Sequence, residues 1–557
     1  MERAAGPSNA DAANLLERYG ALLELSGESP FRVRAYHRAA ESVRHLDAPL
    51  ADVARSGALR EIPGVGEGIA AILQEYLQRG TFSGYDDLTA RFPHSLLDIL
   101  ALPGVGVKTV MKLYNELGIA TLPELEAAAV SGALRATKGF GAKLEATVLS
   151  GLETLAGRSG RMPIGEALPL GRSLAAALRQ ALPGRVALAG SARRFTETVG
   201  DIDIVVETTD PDATVARIAA MPIVGAVVDR FESGLRVRLQ SGIEADIFLT
   251  PPQRFGATLV RATGPAAHVQ RLAPLPEAAD EAAVYAARGL PWIPPELRLG
   301  GEEFDRYPEI PSLVVMDDIR GELHCHSTWS DGAASIADMA AAAALRGYAF
   351  LGITDHSHGL GIASGLDVAR LRAQRAEIAA VSGPVDLLAG SEVEVRRDGS
   401  LDFDDATLAA LDVVVASLHV GLRQPREQLM DRLLGVLRNP NVDIIAHPSG
   451  RLIERRPPGD FDWPTAFAVA AETGTALEIN ADPMRLDLKH DLAAAALRAG
   501  CTLTINCDAH HPDGFTNMEY GIAVARQAWA RPEHIINTWS PERLHAWLTE
   551  RGSGAGP

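Results

Sequence analysis

Between residues 320 and 510 the chain repeats one unit: a short apolar run, one or two metal-capable side chains, then an Ala/Leu/Arg-rich stretch of helical character. The runs 347–353, 385–388, 412–416, 442–446 and 502–505 lead into Asp355-His356, Glu392, His419, His447 and Asp508-Ala-His510, and His324-Cys-His326 with Asp331 opens the series. No other feature narrows the fold as much. Repeated β-then-α units close into a barrel, whose active site is built from the C-terminal ends of the strands. Histidine nitrogen and carboxylate oxygen suit Zn²⁺, Mn²⁺ or Fe, and open sites with mixed donors activate water. A lone histidine at a strand end is ordinarily structural. Six of them (His324, His326, His356, His419, His447, His510) with three carboxylates (Asp331, Glu392, Asp508) at one edge of one barrel point instead to a hydrolytic metal site.

The segments His324-Cys-His326, Ser330-Asp-Gly332, Thr354-Asp-His-Ser357, Gly390-Ser-Glu-Val-Glu394, Ser417-Leu-His-Val420, Ala446-His-Pro448 and Asp508-Ala-His510 resemble, in order, the PHP (polymerase and histidinol phosphatase) domain, over roughly residues 318–548. The resemblance implies a distorted seven-stranded barrel with three divalent ions, Mn²⁺ ahead of Zn²⁺ or Fe. By that resemblance His324, His326, Glu392 and Asp508 hold one ion. Glu392, His419 and His447 hold a second, with Glu392 bridging, and Asp331, His356 and His510 hold the third. Catalytic roles fall to Glu392 and Asp508. Arg451, four residues past His447, is a candidate for a bidentate fork on a phosphate oxygen, with an ordinary surface arginine as the alternative.

A chain of 557 residues is too long for one core, and three or four domains are expected. It contains no uninterrupted apolar run of about 18 residues or more, so no membrane span is expected. The start of the chain lacks a charged-then-apolar signal pattern, and three cysteines fit a reducing compartment, so the cytoplasm, in association with the nucleoid, is the expected location. Cys325 and Cys507 lie beside expected ligands without CxxC spacing and read as small buried fillers. The net charge of −18 would look wrong for a nucleic-acid enzyme if it were evenly spread. It is not: residues 319–557 hold 21 basic and 31 acidic side chains, residues 1–160 hold 16 and 19. Bound dications would offset part of the C-terminal excess. Of five lysines, four (Lys108, Lys112, Lys138, Lys143) crowd into one short stretch.

That stretch carries a repeated turn. Ile62-Pro-Gly64-Val-Gly66, Leu102-Pro-Gly104-Val-Gly106 and Lys138-Gly139-Phe-Gly141 each separate apolar helical patterns, as in helix-hairpin-helix motifs. The glycines permit tight turning, and the following helix offers free N–H groups to a phosphate. Such contacts are independent of sequence. Gly64, Gly66, Gly104, Gly106, Gly139 and Gly141 with Lys108, Lys112 and Lys143 are therefore the expected DNA contacts. Arg32, Arg34 and Arg38 near Phe31 form a further basic edge.

Downstream, Gly190-Ser-Ala-Arg-Arg-Phe-Thr precedes Gly200-Asp-Ile-Asp203 and a Val-Val strand. Asp201 and Asp203 share one strand face, and Asp246 comes from a neighbouring strand. Three converging carboxylates suit a two-cation nucleotidyl-transfer site using Mg²⁺ or Mn²⁺. Residues 15–300 resemble an X-family DNA polymerase, and the whole chain resembles the bacterial form that ends in a PHP domain. Phe31-Arg-Val-Arg-Ala-Tyr36, the hairpins, the carboxylates and Leu290-Pro-Trp-Ile-Pro-Pro-Glu-Leu-Arg298 carry this resemblance. It makes Asp201, Asp203 and Asp246 catalytic metal ligands and puts Ser191, Arg194 and Gly200 on the triphosphate. Four departures stand out. The thumb between Gly264 and Glu277 is short and broken by proline; Arg261-Ala262 and Val269 replace an aromatic pair and an asparagine; Phe195-Thr196 replaces Gly-Lys; and Ile72 replaces the lysine of lyase-active members.

The expected fold is multidomain α/β. It comprises helix-hairpin-helix domains at 1–88 (8-kDa-like) and 89–158 (fingers-like), an α+β nucleotidyltransferase palm at 159–262 and a reduced thumb at 263–295. A linker at 296–318, the PHP distorted (β/α)7 barrel at 319–550 and a flexible tail at 551–557 complete it. The expected activity is 3′→5′ exonuclease or 3′-end phosphoesterase on double-stranded DNA with gaps, nicks or 3′ ends, by a monomer, with dNTP use impaired. Two alternatives stay open: a fully competent gap-filling polymerase that proofreads with its barrel, and a DNA-end scaffold hydrolysing a small phosphoester.

Overall fold

The computed structural model describes residues 9–44, 46, 50–100, 102, 105–137, 140–141, 144–149, 151–152, 161–240, 242–301, 303–306, 310–360 and 363–552. The chain forms two compact units, Met1–Ser159 and Gly160–Pro557.

The first unit is helical. Asn9–Leu25 and Pro30–Arg44 pack face to face, with Tyr19 edge-on to Tyr36 and Phe82 at 4.8 Å. The halves drawn at residue 88 share one apolar core, from Leu16 and Leu22 through Leu73 to Leu113 and Leu125. The hairpin helices Glu67–Arg79 and Val107–Leu117 start at Gly66 and Gly106, both extended and neither supplying a side-chain cap. Gly64 takes the left-handed conformation at φ 77° that lets the first hairpin turn.

In the second unit β1 (Met162–Pro163) pairs antiparallel with β3 (Thr198–Val199). The palm sheet runs β2-β4-β7-β6-β5, from β2 (Val186–Leu188), β4 (Ile202–Glu207), β5 (Val224–Phe231), β6 (Gly234–Leu239) and β7 (Glu244–Thr250). Only β4 and β7 are parallel, and their register sets Asp203 against Asp246. The barrel is a seven-stranded parallel sheet in sequence order: β8 (Gly321–Cys325), β9 (Phe350–Ile353), β10 (Asp386–Glu394), β11 (Val413–Ser417), β12 (Ile444–Ile445), β13 (Ala476–Asn480) and β14 (Leu503–Asn506). Cys325 bridges Ala509, and the His326 N–H donates to Ala509 O at 2.9 Å, so the first and last strands meet where the ligands lie. Six of these seven strands are buried along their whole length, and β10 along all but its first two residues, as parallel strands covered on both faces must be.

Palm and barrel share one apolar core that includes Leu174, Ile204 and Ile247 on one side and Ile353, Val393, Ile479 and Ile505 on the other. Each such side chain contributes ~1.5–3 kcal/mol on full burial. The segment 296–318 is not a free linker: Arg298 is fully buried, Leu313 and Val314 are buried, and the Val314 N–H donates to Ala530 O at 3.1 Å. The tail likewise starts later than expected. Arg551 ends the helix Pro541–Gly552 buried against the barrel, donating to Thr475 Oγ1 at 2.9 Å, and only 553–557 lie outside the described residues. Among the described residues no helix is long and apolar enough to cross a membrane.

Candidate metal centres and nucleic-acid contacts

Every expected barrel ligand except Asp331 belongs to, or lies within four residues of, the C-terminal end of a strand. His324 and Glu392 sit inside β8 and β10, while His326, His356, His419, His447, Asp508 and His510 follow their strands. Two of them, His447 (φ 27°) and Asp508 (φ 53°), hold left-handed backbone, a strain typical of functional sites and of order 1–3 kcal/mol each. The side chains gather in three sets whose ligand atoms lie within 4.8 Å of one another: His324, His326 and Asp508; Glu392, His419 and His447; and His326, Asp331, His356 and His510. Glu392 stands between sets. Its Oε1 is 3.0 Å from His447 Nε2 and 3.4 Å from His419 Nε2, and its Oε2 is 3.5 Å from His324 Nε2 and 2.7 Å from His356 Nδ1. His326 belongs to two sets and stacks between His356 and His510 at 4.3 and 4.2 Å.

These groups fit divalent cations on a physical test. His324 Nε2, His326 Nδ1 and His447 Nδ1 are buried without a hydrogen-bond partner, a costly state for polar atoms that a cation relieves. Other carboxylates fix the rings. His324 Nδ1 lies 2.8 Å from Glu478 Oε1 and His419 Nδ1 lies 2.8 Å from Glu394 Oε2, so each ring turns its Nε2 inward, the usual support for a metal-binding imidazole. Burial, then the neighbouring His510 and His356, holds the His326 imidazole down to about 3, in the neutral form that is able to ligate a cation. Burial acts against protonation of His510 as well, but Asp331 and Asp508 outweigh it and lift that ring to about 9.

Sequence reasoning passed over four groups here. Glu478 is a lone carboxylate in the buried strand β13, a signal in itself. Glu394 lies inside a quoted motif without an assigned role. Asp355, counted among the metal-capable residues, spends its oxygens on Ser327 N and Oγ (2.8 and 2.7 Å) and Ser330 N (3.1 Å), supporting the loop after His326. Arg485, past the end of β13, places Nε 3.7 Å from Asp508 Oδ2 and leaves Nη1 buried without a partner. Arg451 pairs with Glu197 of the palm at 2.8 Å and donates to Leu486 O. All three cysteines are buried thiols, and burial pushes the Cys325 and Cys507 pKa values up.

In the palm, Asp201, Asp203 and Asp246 also converge within 4.8 Å. Burial, then the charges of Asp201 and Asp246, pushes the Asp203 carboxyl up to about 8. Arg236, opposite Asp246 on β6, holds both oxygens of Asp246 at 2.7 and 2.8 Å. The turn expected to bind phosphate touches this cluster: Gly190 has φ 66°, and a Cβ there would fall 1.9 Å from Asp203 Oδ2, so no larger residue fits. Ser191 and Gly200 flank the turn, and Arg194 donates to Thr263 O. Phe195 takes φ 54° and packs edge-on against Tyr520 of the barrel at 6.1 Å. Gln527 fastens the same turn through Arg194 O and Phe195 O at 2.9 and 3.1 Å. In the segment expected to form the thumb, buried His268 is held by Glu303 and by Tyr285 Oη at 2.8 Å.

In the first unit Lys108 is exposed beside Gly106. Lys112 lies over the Phe140 ring at 4.7 Å and 3.8 Å from Glu116, tying the second hairpin to the third. Gly104, Lys138, Gly139 and Lys143 lie outside the described residues. Phe31 is 78% exposed at the start of its helix, with Arg32 paired to Glu28 at 2.6 Å.

Comparison with known proteins agrees with this layout. The helix-hairpin-helix domain family matches residues 7–82, the SAM-like helix-hairpin-helix tandem 96–154 and the PHP domain 322–460. The chain is 35% identical to the DNA polymerase/3'-5' exonuclease PolX of Bacillus subtilis (strain 168) over 97% of its own length and 99% of that protein's. Shorter matches cover 30–42% of the chain. They include probable phosphatases of Edwardsiella ictaluri (31% identical, 94% of that protein) and Yersinia pestis (28%, 96%).

Proposed function

The chain belongs to the bacterial X-family DNA polymerases that end in a PHP domain, and from that premise we propose that it is a DNA-repair enzyme whose barrel cleaves phosphoester bonds at DNA 3′ ends. The observation that carries this reading is the convergence of three donor sets on Glu392 and His326 with inward-facing atoms left unpartnered. When bound, three divalent cations, Mn²⁺ first, lower the pKa of a water and neutralise phosphate charge in an in-line displacement. The chain's own side chains do the rest. Glu478 and Glu394 hold the His324 and His419 rings, Glu392 joins two donor sets, and Arg485 offers a guanidinium beside Asp508 to a phosphate oxygen. The helix starts at Gly66 and Gly106, with Lys108, grip the sugar-phosphate backbone of gapped, nicked or 3′-ended duplexes. We place this work in the cytoplasm on the nucleoid, by a monomer.

Polymerisation is the weaker half of the reading. Asp201, Asp203 and Asp246 are arranged to share Mg²⁺ or Mn²⁺, yet Arg261, Ala262 and Val269 leave little to sense the sugar or base edge. Ile72 removes the amine an abasic-site lyase needs. A second reading, full gap filling with the barrel as proofreader, is favoured by the end-to-end match to a protein named as polymerase and exonuclease. The phosphatase reading rests on relatives that match less than half of the chain. The test is direct: Glu392→Ala and His324→Ala should abolish hydrolysis of a DNA 3′ end while duplex binding persists. Nuclease activity within about tenfold of wild type in Glu392→Ala overturns the assignment.

A further inference from the structure

Resting on the phosphoesterase reading, we propose that the cavity beside His419 is the subsite for the phosphate one nucleotide inward from the scissile bond on the DNA strand being trimmed. The cavity measures about 340 Å³ and is lined by Arg397, His419, Arg423, Gln424 and Arg456. His419 lines the cavity and turns its Nε2 to Glu392 at 3.4 Å, so one side chain borders both the cavity and the metal-capable cluster. Guanidinium forks match phosphate oxygens in shape and charge. Three of them at one cavity are conspicuous in a segment, 319–557, with 31 acidic and 21 basic residues. Neighbouring arginines are spent internally: Arg396 on Asp402 (2.8 Å) and Arg426 on Asp460 (2.5 Å). Arg397, Arg423 and Arg456 form no ion pair among the described residues, although Arg456 Nε donates to Gly450 O at 2.7 Å.

The cavity wall is built. Arg432, 2% exposed, crosses beneath it and donates to Val395 O (2.7 Å), Val420 O (2.9 Å) and Gln424 Oε1 (2.7 Å). Gln424 Nε2 in turn donates to Arg397 O at 3.1 Å, fixing the backbone that carries the first arginine. Gly421, at φ 72°, leaves the space in which this happens, because a Cβ there would lie 2.6 Å from Gln424 Oε1 and 2.9 Å from Arg432 Nη1. A phosphomonoester has no second phosphate to place here, whereas a DNA strand always does. The subsite therefore separates a nuclease from a phosphatase built on the same metal centre.

The test uses the full chain with Mn²⁺ and two substrates: a single-stranded oligodeoxynucleotide and bis(4-nitrophenyl) phosphate, a small diester with one phosphate. In Arg397→Ala/Arg423→Ala, and separately in Arg456→Ala, kcat/KM on the oligonucleotide should fall at least about tenfold while the small diester stays within about twofold. The salt slope of oligonucleotide binding should drop by about 0.7 for the one phosphate that is no longer neutralised. A second arm leaves the protein intact: an oligonucleotide with a neutral methylphosphonate at the penultimate linkage should be cut about tenfold more slowly by wild type, and the double variant should show no further decrease. Equal losses on both substrates in the variants overturn the subsite, as does an unchanged wild-type rate on the methylphosphonate strand. Wild-type inactivity on both unmodified substrates instead overturns the phosphoesterase reading, and the subsite with it.

Discussion

Glu478 reaches three parts of the barrel at once. One oxygen takes the His324 ring and the Asn506 amide, the other the His447 backbone N–H at 2.6 Å and the Asn480 amide at 3.1 Å. It is fully buried on a strand that contributes no expected ligand, so its effect on catalysis must pass through the groups it holds. Carboxylates that orient metal-binding histidines typically cost 10–100-fold in metal affinity or activity when removed. We expect Glu478→Gln to stay folded, since the amide keeps the size and one acceptor, and to weaken Mn²⁺ binding by about that factor in a metal titration. Unchanged affinity would reduce Glu478 to a packing residue. Arg451 teaches the converse: its place four residues past His447 suggests chemistry, while its side chain fastens barrel to palm.

At the scale of elements, the phosphate turn after β2 is tied down on two sides. Arg193 forms a bidentate pair with Glu281 of the thumb helix Glu281–Ala286 at 2.8 and 2.9 Å, Arg298 adds 2.7 Å to the same carboxylate, and Phe195, Glu197 and Gln527 hold the barrel side. Burial raises the Glu281 carboxyl, but the hydrogen bonds from Arg193 and Arg298 outweigh it and bring it to about 2, from an ordinary 4.5. A carboxyl whose value is depressed on folding stabilises fully above the unfolded value and loses that contribution as pH falls through the folded one. The pair is 8% exposed on the carboxylate side, and the shift corresponds to ~3 kcal/mol at pH 7. Glu281→Gln should therefore be less stable than wild type at pH 7 by ~3 kcal/mol, with the gap roughly halved by pH 3, in denaturant titrations followed by fluorescence. A gap independent of pH would mean that shape, not charge, holds the turn.

For the whole molecule the question is whether the palm still works. Its carboxylates converge, the turn after β2 is held on both sides, and Arg236 engages Asp246; on our reading the short thumb leaves it little surface against the nascent pair. Losing one hydrogen bond to substrate typically costs about 1–3 kcal/mol. In a His324→Ala background, which removes the competing nuclease, single-nucleotide gap filling should be slow or absent, with weak preference for deoxyribonucleotides. Fast and faithful incorporation would show that the barrel, which shares the palm's core, compensates for the short thumb, and the polymerase reading would then lead.

The local code was legible without coordinates wherever chemistry forces a residue type into a fixed place along the chain. Strand-end histidines, hairpin glycines and the Asp-x-Asp pair announced a parallel barrel, helical hairpins and a sheet on which three carboxylates converge, because period, turn geometry and ligand chemistry all act within a few residues. What needed the tertiary structure was every pairing between distant segments. Glu478 under His324, Arg485 beside Asp508, Arg432 beneath the arginine-lined cavity and Phe195 against Tyr520 join residues that lie on different elements of the chain. So do the packed 296–318 segment and the burial of Arg551, which composition presented as linker and tail. A side chain's type limits what it can do; which neighbour desolvates it, and therefore whether it binds an ion, a phosphate or another part of the same chain, is decided only by the fold.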